Sequence, residues 1–178
     1  MPGSGLFITA CYALGGLIKT KMGLAVRVYK NIKQTNNEDE CDFEAFVIDD
    51  NWKYKIKNLE EGKLYVGECV DRSISYPYSA HNRFRETLLK LIGRDDLLKS
   101  DGTVDWANLP SDIPFYDLID FADNEGCLDW ETSEKLYKDF KKWETKADVF
   151  YKEFQIDRYN QWLNVFELGK ERGVVVFS

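Results

Sequence analysis

The apolar positions of this chain repeat every two residues at first and every three or four later, so the pattern predicts strands followed by helices. Leu24, Val26 and Val28 alternate with Ala25, Arg27 and Tyr29, as in a half-buried strand. After a polar loop, "KQTNNEDEC" at 33–41, the alternation returns in Phe43, Ala45 and Val47 as a second strand. Trp52, Ile56 and Leu59 then step by four and three, which predicts a short helix stopped near Gly62. "KLYVGECV" at 63–70 predicts a third strand, with Leu64, Val66, Glu68 and Val70 on one side.

Beyond that point the period is helical. A helix is predicted from about Ala80 to Ile92, with Ser79 as its N-cap and Gly93 just past its end. "KSDGTVDWANLPSDIP" at 99–114 is turn-rich, and Pro110 and Pro114 argue against a long helix there. A long helix begins after Asp129, a good N-cap, with Leu136, Phe140, Trp143, Ala147, Phe150 and Phe154 along one stripe. Another covers about Asp157 to Glu171, with Tyr159, Trp162 and Phe166 inward. Gly173 ends it, and "VVVF" at 174–177 is a terminal strand that adds to the sheet. This order predicts an α+β fold: a small mixed or antiparallel sheet of about four strands, with helices on one face and two long C-terminal helices.

A chain of 178 residues is about one domain, and its 44% hydrophobic and 15% aromatic content excludes disorder and predicts a ring-packed core. "GLFITACYALGGLI" at 5–18 is too short to span a bilayer, and Lys19 and Lys21 follow it, where a signal peptide needs preceding charge. Residues 1–21 therefore read as an apolar extension outside the core, and 22–178 as the single domain. The rival reading is a first element that docks on the domain. No membrane association is expected.

Net charge is −7, and its placement is uneven. Between Asp95 and Glu134 there are twelve acidic residues and one basic residue, Lys99. Such a field disfavours direct nucleic-acid binding and attracts a cation or a basic protein surface. Cys11, Cys41, Cys69 and Cys127 form no C-x-x-C pair and accompany one histidine, which excludes a Cys/His zinc site. The spacing fits reduced thiols and a cytoplasmic location. Neither a glycine-rich phosphate loop nor a nucleophile elbow occurs, so no cofactor is expected.

The candidate chemistry lies on the helix in "SYPYSAHNRFRETLLKLIG". On a wheel at about 100° per residue, His81 falls inside the arc of Phe84, Leu88, Leu91 and Ile92, with Arg85 at its edge. Arg83, Glu86 and Lys90 face water. An inward arginine needs a carboxylate or a route to water, and Asp120, Asp123 and Glu125 are the best partners in the acidic block. This is either a structural ion pair, an arginine snorkelling over its stem, or a polar pocket where His81, Arg85 and the carboxylates meet a ligand.

The acidic stretch itself is "DFADNEGCLDWE" at 120–131. Aligned as a calcium loop on Gly126, it has Phe121 first and Thr132 last, where ligands are required. A looser cation site, a paired-carboxylate hydrolase using Asp123 and Glu125 with His81 as base, and a Cys127–His81 thiol pair are weaker options. A tight turn at Gly126 and a helix N-terminus explain Asp129, Glu131 and Glu134 without function, and leave Asp123, Asn124 and Glu125 unexplained.

"SYPYSAHNRFRETLLKLIG", "DFADNEGCLDWETSEKLYKDF" and the closing "GVVVFS" together resemble a family of uncharacterised bacterial and phage proteins, over about Met22 to Ser178. The resemblance carries over no activity; it implies a soluble intracellular protein and points to a mobile element. The expectation is a non-enzymatic binding or interaction protein, monomeric or dimeric. It takes a small polar or anionic ligand, or a protein partner, at Tyr78, His81, Asn82, Arg83, Arg85, Asp120, Asp123, Asn124 and Glu125. The alternatives are a hydrolase using His81 with Asp123 or Glu125, and an acidic phage-type protein that occupies a partner's basic surface.

Overall fold

The computed structural model describes residues 23–121 and 125–178. The predicted extension at 1–21 lies outside the described residues. The fold is α+β: one antiparallel five-stranded sheet with two long C-terminal helices. The alternating stretch after Gly23 forms β1 (Leu24–Thr35), and "LYVGECV" belongs to a longer strand, β3 (Leu64–Tyr76). The two pair antiparallel from Leu24↔Tyr76 to Thr35↔Leu64, with three register shifts. Those irregularities place Val28 and Tyr29, which are neighbours, both in the core. Leu64, Val66, Glu68 and Val70 do share a side, and Val66, Glu68 and Val70 on it are exposed; Tyr65 carries the burial.

The second predicted strand shortens to β2 (Phe43–Glu44), paired with Tyr65 and Leu64. The next segment has another role: Phe46 O accepts from Cys127 N–H at 3.0 Å on the far edge strand, β4 (Gly126–Leu128). With β5 (Val174–Phe177) the sheet order is β2-β3-β1-β5-β4, and the strip from Phe43 to Phe46 thus touches both of its edges. The predicted helix at Trp52 is a 3-10 turn, Asp50–Ile56, capped by the Asp49 side chain. Gly126 has φ +128°, and a Cβ there would meet Phe121 Cζ at 2.9 Å and Phe46 O at 3.3 Å. It serves a close approach at the start of β4, where a tight turn was expected.

The helix α1 (Tyr78–Leu91) begins two residues before the predicted start, with Pro77 in the cap position in place of Ser79. Proline's preset φ suits a helix entrance without any side-chain cap. Its end is as read: Gly93 (φ +74°) donates to Lys90 O and Arg94 donates to Leu89 O, a paired C-terminal closure. A one-turn helix, α2 (Tyr116–Ile119), follows the proline-rich stretch.

Asp129 caps α3 (Trp130–Phe150) by accepting from Thr132 N–H at 3.0 Å. Its stripe is buried at Leu136, Phe140 and Ala147, while Phe150 is half-exposed where the chain turns at buried Tyr151. The side chain of Phe154 lies outside what is described. In α4 (Glu153–Gly169), Tyr159, Trp162 and Phe166 are all fully buried. β5 (Val174–Phe177) inserts between β1 and β4.

Helix α4 ends close to both α3 and the sheet. A Cβ on Gly169 would sit 2.8 Å from Ser133 Oγ and 2.9 Å from Val175 Cγ2. Gly169→Ala is expected to cost about 1–3 kcal/mol through overpacking, read as a lower urea midpoint with unchanged slope. A wild-type midpoint would mean that α3, α4 and β5 meet less tightly than described.

Candidate functional site

The segment 115–121 is gripped from both ends. At its start, Phe115 takes a left-handed conformation (φ +63°), which is strained for an aromatic residue, and its N–H donates to Asp139 of α3 at 2.8 Å. At its end, the carbonyls of a one-turn helix need donors, and two basic side chains supply them. Lys55 Nζ donates to Asp117 O at 3.2 Å and to Asp120 Oδ2 at 3.3 Å. Arg85 Nη1 donates to Ile119 O at 3.2 Å and Phe121 O at 2.7 Å, and its Nη2 donates to Asn82 Oδ1.

Lys55 is 0% exposed. Its ammonium lies 5.1 Å from the Trp52 ring centroid, 5.3 Å from Phe121, 5.6 Å from Tyr54 and 5.7 Å from Tyr116, all within cation–π range. Burial lowers its pKa from the ordinary lysine value, against the opposing pull of Asp120 and Asp117. Trp52 Nε1 donates to the same Asp120 oxygen at 2.7 Å. Asp117 is buried as well, taking Tyr54 O–H at 2.7 Å and Lys135 at 2.7 Å. A lysine of depressed pKa is a familiar nucleophile, but this one is sealed and already bonded, so it acts as a clamp.

In the sequence Asp120 stands out as a partner for Arg85, whereas Lys55, Asp117 and Lys135 do not stand out at all. "NWKYKI" alternates rings with lysines, and Lys53 there is half-exposed and ion-paired with Asp50 and Glu61. Nothing local separates the buried lysine from the wet one. The i, i+3 pair Asp117/Asp120 was the available signal.

The predicted constellation divides. Arg85 is inward, only 5% exposed, and does reach the acidic segment, among the described residues through the main-chain carbonyls of Ile119 and Phe121. The half-exposed ring of Trp106 covers its guanidinium at 4.7 Å. Asp120 turns to Lys55 and Trp52, Glu125 is exposed, and Asp123 and Asn124 lie outside the described residues. Arg83 is exposed, and Tyr78 and Asn82 are half-buried. His81 is fully buried between Tyr76 and Trp162, at ring distances of 6.3 and 5.5 Å. Burial, then Arg85 and Arg158, hold its pKa well below the usual histidine value, so the imidazole is neutral.

The acidic block is also less acidic in three dimensions than in the sequence. Asp96 pairs with Arg94, Asp117 with Lys135, Asp120 with Lys55, Glu131 with Lys57 and Glu134 with Lys138. Among the described residues, no group of three or more His, Cys, Asp or Glu could hold a metal ion. No helix among them is long and apolar enough to cross a membrane.

Cys69 and Cys127 are free thiols, as expected, whereas Cys41 is disulfide-bonded. Cys127 does not form a nucleophile with His81: it is buried on β4, its Sγ lies 3.4 Å from Glu44 O, and burial pushes its pKa up to about 12. Iodoacetamide at pH 8 should label half-buried Cys69 in the native protein and leave Cys127 unmodified until urea is added. Fast native labelling of Cys127 by peptide mass mapping would contradict this placement.

No family model, curated protein or solved structure matches the chain.

Proposed function

We propose that this chain is a non-enzymatic binding protein that takes a small polar or anionic ligand, or an acidic group of a protein partner, at the N-terminal half of α1. The observation that carries the reading is Arg85, whose guanidinium is held by Ile119 O, Phe121 O and Asn82 beneath the 45% exposed ring of Trp106. The exposed Trp106 ring, held from beneath by this buried cation, is rigid in advance and loses little entropy when a partner arrives. Asn82, which accepts from Arg85, and Tyr78 lie on the same helix, and Arg83 is exposed on it as well. An intracellular setting and a mobile-element source belong to the same proposal and rest on the family resemblance.

The hydrolase reading gains nothing from the geometry, because a general base needs access to a proton and His81 is sealed. The acidic-surface reading loses much of its surplus charge to the ion pairs within the fold. The test is native mass spectrometry on the whole chain, purified gently from cells. A reproducible excess mass that disappears in Arg83→Ala/Trp106→Ala, two exposed positions, is expected. A bare chain, together with failure to retain any partner from the same lysate, would overturn the proposal.

A further inference from the structure

We propose that the groove between the end of β3 and the first half of α4 is a pocket for a small anion that also carries a hydrogen-bond donor, such as a sugar phosphate or a hydroxy acid. Ser73, Ser75 and Tyr76 form one wall, Asp157, Arg158 and Gln161 the other, around a volume of about 320 Å³. That size suits a small metabolite. This inference deepens the binding reading: it names a pocket and a ligand class beside the same end of α1.

The basic side chain in the groove is positioned in advance. The Arg158 guanidinium lies over the Tyr76 ring at 4.5 Å, and Nη1 donates to Ala80 O at 3.2 Å. Tyr76 is itself pinned by Trp162 Nε1, which donates to its hydroxyl at 2.6 Å. An arginine stacked and tethered in this way offers a planar fork suited to anionic oxygens. The Ser73 hydroxyl on β3 adds a donor beside it.

The groove also holds polar groups that the fold does not use. Among the described residues, the side chains of Ser73, Asp157 and Gln161 make no hydrogen bond or ion pair within the chain. A larger hollow on α3, about 650 Å³, differs in this respect. There Glu131 pairs with Lys57, Glu134 with Lys138, Lys135 with Asp117, and Asp139 accepts from Phe115 N–H. Its charges are spent on the fold.

A separate observation lies behind the Tyr76 wall. Both ring nitrogens of His81 are buried, and neither has a hydrogen-bond partner among the described residues. A polar group buried without a partner costs about 1–3 kcal/mol, and such groups call for an explanation beyond stability. The Asp157 carboxylate is an acceptor only, so it selects an anion that brings a hydroxyl or amine over one that brings none.

The experiment is amide NMR on the ¹⁵N-labelled whole chain, titrated with glucose 6-phosphate, inorganic phosphate and glucose at constant ionic strength. Glucose 6-phosphate should give saturable shifts at Ser73, Ser75, Tyr76, Asp157 and Gln161, and bind about tenfold tighter than phosphate, as one added hydrogen bond to a charged group allows. Arg158→Gln should abolish the shifts. Because Arg158 also braces Ala80, the exposed change Gln161→Ala is the second variant, expected to weaken binding several-fold with the spectrum otherwise intact. Three results would overturn the pocket: no saturable shift with any probe, binding unaffected by both variants, or shifts centred on Arg83 and Trp106. The last would leave the binding reading standing.

Discussion

Replacing Lys55 by alanine is expected to lower stability by about 3 kcal/mol, a drop of roughly 6–12 °C in Tm for a chain of this size. The loss has two parts. Asp120 and the Asp117 carbonyl lose their buried donor, and the space within four rings is left partly empty. Removing one member of a buried pair costs about 3–5 kcal/mol; the Asp120 side chain is 24% exposed and can recover some hydration, which favours the lower figure. Lys55→Met refills the space without the charge and should lose about half as much. Thermal unfolding of the three proteins measures this, and a Lys55→Ala Tm within a degree or two of wild type would mean the clamp holds nothing.

Acid is expected to weaken the fold through His81, well before the carboxylates protonate. The folded chain holds the imidazole neutral, and the unfolded chain protonates it near pH 6.5. The unfolded state therefore binds the extra proton below that pH. Stability is full above about 6.5 and falls as pH drops, by up to about 1.4 kcal/mol per unit while the folded imidazole stays neutral. Three groups set this environment: Arg85 from its own helix, Arg158 from α4 and Tyr76 from β3, with the two arginines opposing protonation. Asp139, whose carboxyl is raised by burial, acts in the opposite direction at lower pH. The sequence has one histidine, so His81→Phe should flatten the profile between about pH 5 and 6.5. Urea midpoints across that range decide it; a flat wild-type profile would mean the imidazole is not sealed.

Where local pattern governs, the sequence was legible. The four-residue run "VVVF" is β5, Asp129 caps α3, and the wheel of α1 put His81, Phe84, Arg85 and Leu88 inward as observed. What failed was set by partners distant in sequence. β4 is three residues long and exists because it pairs with β5 and meets Phe46. The shifts between β1 and β3 break the alternation that strand prediction relies on. "DFADNEGCLDWE" splits among three jobs: Asp120 closes α2 against Lys55, Gly126–Leu128 forms β4, and Asp129 starts α3. Counting charge along the chain could not find Lys55, Lys57 and Lys135, which bring positive charge to Asp120, Glu131 and Asp117 from outside the acidic block.

The claim on which the rest depends is that the polar groups around α2 are engaged with one another and hold the fold, leaving ligand recognition to the rigid surface beside them. A double-mutant cycle tests it most directly: Lys55→Met, Asp120→Asn and the pair, each unfolded in urea. The two side chains are in contact, so the pair should be more stable than the sum of single losses implies, with a coupling of about 1–3 kcal/mol. Strict additivity would contradict the clamp and return Asp120 to the candidates for ligand binding.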